Sequence, residues 1–151
     1  MKNIFVLTLR FTVAIIFIVS GFEKLTSPSE NFLYVLQAYQ VFPDFLARIF
    51  SVVFPWIELL LGVFLALGLW LRWALIGLGC MSASLILVVG QAIWRKLPID
   101  SCGCFGSLVH LPLHGVIFLD IFIFSTALFC LWHIRVARRF GLDDCFDMPR
   151  P

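Results

Sequence analysis

The segment Ser101-Cys102-Gly103-Cys104-Phe105-Gly106 holds the residues best suited to chemistry in this 151-residue chain. Two thiols one residue apart, set between glycines, can exchange between dithiol and disulfide or bind a soft metal. A disulfide across one intervening residue closes a small, strained ring. Strained disulfides have the more oxidising potentials typical of labile or catalytic pairs. Gly103 relieves part of that strain, because glycine tolerates backbone angles that other residues do not. The plainer alternatives are a structural disulfide and idle thiols. A third alternative adds His110 and His114 to Cys102 and Cys104, giving the two-sulfur, two-nitrogen set of a tetrahedral zinc site or a soft copper site. Against it, Cys-x-Cys is tighter than the usual zinc spacing, and Pro112 interrupts the segment between the histidines.

Two carboxylates stand out next, because Glu58 and Asp120 both fall inside apolar runs. A carboxylate within a membrane span is costly unless it is paired or near water, which makes each one a candidate site residue. Lys24 offers Glu58 a structural ion pair. The sharper reading has Glu58 or Asp120 accepting protons during thiol chemistry, since the attacking species is a thiolate. Arg10 lies in the other half of the membrane and is expected to snorkel or to bond backbone carbonyls. Cys80 and Cys130 read as small apolar core residues. Cys145, in the acidic tail, reads as exposed.

These residues must be positioned by membrane helices. Hydrophobic residues make up 62% of the chain and charged residues 13%, about half the charged fraction of a soluble domain. The mean hydropathy is +1.03. Together these values mark an integral membrane protein. A net charge of +2, with no basic cluster among aromatics, gives no basis for a nucleic-acid partner. The length fits one domain over residues 1–151, with a short tail at 140–151. The N-terminal run, interrupted by Arg10 and followed by no small-x-small cleavage pattern, is expected to stay as a first helix rather than act as a signal peptide.

Four segments are long enough to span, at about 20 residues each. They are Ile4 to Phe22, Val52 to Trp70, Trp73 to Trp94 and Leu113 to Ile134. Leu71 and Arg72 would join the second and third in a tight hairpin. Ser27-Pro28-Ser29-Glu30 reads as a helix start, and Phe32, Val35, Leu36 and Tyr39 follow at helical spacing until Pro43. The expected fold is an all-α, four-helix transmembrane bundle with a short interfacial helix between helices one and two. Gly62 with Ala66, and Gly79 with Ala83, mark expected close helix contacts. Tryptophans 56, 70, 73, 94 and 132 are expected near span ends.

An up-and-down bundle gathers the end of helix one, the start of helix two, the end of helix three and the start of helix four at one face. Lys24, Glu58, Gln91, His110, His114, Asp120 and the two-cysteine loop all belong to that face. At about 1.5 Å rise per residue, Glu58 and Asp120 would lie roughly 10 Å below it. The Arg135 to Arg139 cluster at a helix end favours cytoplasmic termini, although Arg95 and Lys96 pull the other way. The Cys102–Cys104 pair would then face the periplasm of a bacterial inner membrane, where disulfides persist.

Three stretches give the chain a family resemblance: Arg10 through Ser20-Gly21-Phe22-Glu23-Lys24-Leu25, Pro55-Trp56-Ile57-Glu58-Leu59-Leu60-Leu61-Gly62 with Leu67-Gly68-Leu69-Trp70-Leu71-Arg72, and Cys102-Gly103-Cys104-Phe105-Gly106. The chain resembles the DoxX-like membrane proteins, and the third stretch points to the MauE type of methylamine utilisation protein within them. The resemblance covers most of the chain, and the tail from Phe140 to Pro151 matches nothing assignable. It implies assistance in the maturation, transport or disulfide formation of a periplasmic partner, such as the disulfide-rich small subunit of methylamine dehydrogenase.

The resulting expectation is a membrane thiol-disulfide oxidoreductase. Cys102 and Cys104 would serve a periplasmic thioredoxin-like protein or a disulfide-rich client. A membrane quinone near Glu58 is the electron acceptor expected by analogy. A non-catalytic membrane assembly or chaperone subunit and a Cys/His metal-handling protein are the alternatives.

Overall fold

A computed structural model describes residues 2–39, 43–95 and 113–137. They form α1 (Lys2–Thr26), α2 (Ser29–Ala38), α3 (Asp44–Leu67), α4 (Leu71–Trp94), α5 (Leu113–Trp132) and α6 (Ile134–Ala137). Four helical stretches are long and apolar enough to cross a membrane: Ile4–Thr26, Asp44–Leu67, Leu71–Trp94 and His114–Trp132. Helices suit this role because each satisfies its own backbone polar groups where lipid cannot. The protein is a multi-pass, four-helix membrane bundle, and α2 is the short helix between its first two spans.

Several boundaries differ from the expected ones. The second span starts at Asp44 rather than Val52, directly after Pro43, whose φ of -62° and ψ of 150° place it just ahead of a helix. Pro43 therefore opens α3, whereas α2 already stops at Ala38, with Tyr39 at its C-cap, and not at Pro43 as expected. Pro55 lies inside α3 without ending it, as membrane helices tolerate. Because α3 begins early, Trp56 sits mid-helix, exposed, and not at a span end as expected. The turn between α3 and α4 also sits earlier than Leu71-Arg72. Gly68 takes a left-handed conformation with φ 68° and donates its N–H to the Phe64 carbonyl, a helix stop that glycine allows without a side-chain clash. Trp70 follows with φ 45°, and Leu71 is already fully buried in α4.

The main helix pairings are α1 with α3 and α4 with α5. The first is unusually close. A Cβ on Gly21 would lie 2.7 Å from the Leu59 backbone nitrogen, and one on Gly62 would lie 2.9 Å from the Ile18 nitrogen. The expectation for Gly62 is therefore met, and Gly21 is its counterpart across the interface. Gly79 makes a looser contact, since its nearest neighbour would be the Ala127 Cβ at 3.9 Å. The pairs Gly21–Leu59 and Ile18–Gly62 fix an antiparallel register that sets Thr26 level with Phe54. The first turns of α3 thus project past the end of α1, and α2 packs against α3, with the Phe32 and Phe54 ring centroids 5.9 Å apart.

At the opposite end of the bundle, Arg10 is fully buried. It donates through Nε to the Leu65 carbonyl at 2.7 Å, through Nη2 to Ala66 at 2.8 Å and through Nη1 to Ala137 at 2.8 Å. Carbonyls in the last turn of a helix have no partner within the helix, and the planar guanidinium fork matches several of them at once. Arg10 bonds carbonyls and does not snorkel. It ties the end of α3 and the short α6 to the first helix.

Candidate functional site

Three side chains from α1 and α3 close a hydrogen-bonded triangle inside the bundle. Lys24 Nζ donates to Glu58 Oε2 at 2.7 Å and to Ser20 Oγ at 2.8 Å. Ser20 Oγ donates in turn to Glu58 Oε1 at 2.9 Å. Ser20 and Lys24 stand four residues apart and so share a face of α1. The Gly21–Leu59 approach brings that face against Glu58. The Lys24 and Glu58 side chains are only 3% and 6% exposed, so the ion pair anticipated from the sequence is a desolvated one. Lys24 also lies 5.5 Å from the Phe32 ring centroid, beneath α2. Glu23, next along α1, is buried too and accepts a hydrogen bond from Ser27 Oγ at 2.9 Å.

Asp120 approaches from α5, about 10 Å along that helix from Leu113 at about 1.5 Å per residue. Glu58, set by the register level with Phe22, lies roughly 6 Å inside the end of α1 by the same rise. Depth counted from the start of α3 would be misleading, because α3 projects beyond its neighbours. Asp120 is buried, and its Oδ2 has no hydrogen-bond partner among the described residues. Ser20, Lys24, Glu58 and Asp120 line one cavity of ≈ 230 Å³, closed on the α2 side by Phe32, Val35, Leu36 and Tyr39. Most of its remaining wall is apolar, with Phe17, Leu85, Val89 and Ile123 among the contributors.

Tyr39 stands at the C-terminal cap of α2. It packs in a small cluster with Val89 and Ala92 of α4 and Val116 of α5. Its hydroxyl is buried and has no hydrogen-bond partner among the described residues. Burial, and secondarily the nearby Asp120 carboxyl, push the Tyr39 phenol up to about 12.

The structure thus brings together Lys24, Glu58 and Asp120, which the sequence placed at one face. Tyr39 was legible only as an apolar position of a short helix, and Ser20 only as part of a motif. The signal for Ser20 was its spacing from Lys24. Nothing in the sequence put Tyr39 beside Asp120. Cys102, Cys104 and His110 lie outside the described residues, as does Cys145. His114, in the first turn of α5, is exposed. Among the described residues no group of three or more His, Cys, Asp or Glu side chains could hold a metal ion. Cys130 is buried against the core, as a small apolar residue would be, whereas Cys80 is exposed on α4.

The arrangement can do three things. It can hold a buried ion pair, present an unsatisfied carboxyl and phenol to an apolar chamber, and exchange protons at Asp120 with whatever occupies that chamber. The sequence profile of the family described as methylamine utilisation protein MauE matches residues 2–133. No curated protein matches the chain, and no solved structure does.

Proposed function

This chain belongs to the MauE family of methylamine utilisation proteins, and within that role we propose that it is a membrane thiol-disulfide redox protein assisting the maturation of a periplasmic partner. One observation carries the reading. The buried Asp120, its Oδ2 unpartnered among the described residues, sits with the Lys24–Glu58 pair at the bundle end where α4 stops and α5 starts. The chain between those two helices contains Cys102 and Cys104, so covalent connection tethers the thiol pair to the end of the bundle that holds the proton-handling groups.

In this reading a Cys102–Cys104 disulfide oxidises a client dithiol. Two client S–H bonds break, a client S–S bond forms, and the chain's own disulfide becomes two thiols. Reoxidation passes two electrons and two protons to a membrane acceptor, and in this reading Asp120 relays the protons. Glu58, already held by Lys24 and Ser20, positions the site more than it exchanges protons. The termini face the cytoplasm and the thiols face the periplasm of a bacterial inner membrane, where a thioredoxin-like protein or a disulfide-rich client is the partner. A disulfide-rich dehydrogenase subunit fits the family's pathway as that client. Ser20–Lys24 and Glu58, the positions that resemble the wider DoxX-like pattern, meet in one triangle, which supports extending the kinship to that group.

The test is thiol trapping in intact cells with a membrane-impermeant, mass-shifting maleimide, after Cys80, Cys130 and Cys145 are replaced by Ala or Ser. Labelling of Cys102 and Cys104 only after reduction is the expected result. Normal client oxidation by a Cys102→Ser variant would sink the redox reading and leave a non-catalytic assembly subunit. A stoichiometric metal that is lost with the two thiols would move the function to metal handling.

A further inference from the structure

We propose that the cavity enclosed by α1, α2, α3, α4 and α5 is a binding site for a lipid-soluble quinone, its ring held among Tyr39, Asp120 and Lys24 and its prenyl tail against the apolar wall. The class of ligand follows from what the cavity offers. Its volume, ≈ 230 Å³, lies just under the roughly 300 Å³ at which small-molecule pockets begin. It therefore admits a compact head and not a bulky one. The wall is apolar apart from a few convergent polar groups, the usual make-up of a site that orients a small, mostly hydrophobic ligand.

The polar groups are the discriminating part. Tyr39 Oη and Asp120 Oδ2 are buried with no hydrogen-bond partner among the described residues, and buried polar groups in folded proteins are almost always satisfied by something. The Lys24 ammonium has three N–H donors, of which Ser20 and Glu58 take two. The unmet capacity is thus a phenol O–H, an ammonium N–H and a carboxyl. An anionic lipid head is a poor match, because the lining holds one ammonium against two carboxyls and has no surplus positive charge for a phosphate. A quinone fits in both redox forms. Its carbonyl oxygens accept from Tyr39 and Lys24, and the hydroxyls of the quinol donate to Asp120.

The electron balance of this site rests on the thiol reading above, whereas binding does not. Two thiols lose two S–H bonds and gain one S–S bond, releasing two electrons and two protons. The quinone takes both electrons and both protons, and its two C=O groups become C–OH. The net product is a disulfide and a quinol.

The experiment uses the full chain in lipid nanodiscs, with Cys102 and Cys104 both replaced by Ser, so that binding is read without redox turnover. The probe is a short-tail prenyl benzoquinone carrying a photoreactive group. Its competitors are the unmodified quinone and a prenyl alcohol with the same tail. Saturable, stoichiometric binding is expected, with cross-links on α2 and α5. The unmodified quinone should displace the probe, and the prenyl alcohol should not. Val35→Trp, which fills the chamber, should weaken binding at least tenfold. Tyr39→Phe, which keeps the ring and removes only the donor, should weaken it two- to tenfold, the range of one hydrogen bond. Non-saturable binding, indifference to both variants, or equal displacement by the alcohol would each overturn the proposal. If quinone binds as described while client oxidation proves independent of the cysteines, the site stands and the thiol reading falls. If client oxidation needs the cysteines but no saturable quinone site exists, the reverse holds.

Discussion

Removing one partner of the Lys24–Glu58 pair should cost far more than removing both. Lys24→Met leaves the Glu58 carboxylate buried beside Ser20 Oγ with no cation, in a side-chain environment that is 6% exposed. Breaking a buried ion pair by deleting one member typically costs about 3–5 kcal/mol, whereas replacing both with apolar residues of similar size is often neutral or stabilising. The double variant Lys24→Met, Glu58→Leu should therefore lie within about 1 kcal/mol of the parent, well short of the sum of the two single losses. At roughly 2–4 °C per kcal/mol for a chain of this size, the single variant should melt about 6–20 °C lower. Thermal unfolding of all four members of the cycle in one detergent, followed by circular dichroism, gives the comparison. If the double variant is as unstable as the sum of the singles, or if Lys24→Met costs under about 1 kcal/mol, the pair is not a desolvated one.

Further outcomes follow from the helix contacts, from Arg10 and from Tyr39. Gly21→Ala should destabilise by about 1–3 kcal/mol, the usual cost of overpacking, because its Cβ would meet the Leu59 backbone nitrogen at 2.7 Å. Gly90→Ala, where a Cβ meets nothing within 4 Å, should be neutral or gain up to about 1 kcal/mol, and paired melting curves separate the two. Arg10→Lys keeps the charge but not the fork that reaches three carbonyls; it should lose stability by about 2 kcal/mol or more, with charged hydrogen bonds at about 1.5–3 kcal/mol each, measured by chemical denaturation in micelles. In a Tyr34→Phe background, ultraviolet titration of the phenolate should place Tyr39 near 12. Because the folded value is raised, the neutral phenol favours the fold below about pH 10, the ordinary tyrosine value. That contribution fades as pH climbs through the folded value. Asp120→Asn should return the midpoint only part of the way, since burial is the larger cause.

The class of protein and the number of spans are legible in the apolar pattern of the chain. Runs of about 20 apolar residues have one stable solution in lipid, a helix whose backbone bonds are all internal. The same pattern places Lys24, Glu58 and Asp120 at one end of the bundle, since alternating helix direction follows from connectivity alone. Boundaries were less legible, because hydropathy registers apolar length and not helix ends. The Asp44 start and the Gly68 stop depend on backbone conformations at Pro43 and Gly68.

Which groups touch depends on how the helices pack. The antiparallel register of α1 and α3 is set where two glycines let the backbones meet, and that register puts Ser20 and Lys24 on Glu58 while leaving Asp120 Oδ2 without a partner among the described residues. Tyr39 became part of the site through the packing of α2 across the overhanging start of α3. Pairing of charges in a low-dielectric interior depends on ångström-scale distance. A linear pattern of residue types carries direction and spacing along each helix, but not the rotation and offset between helices that fix those distances.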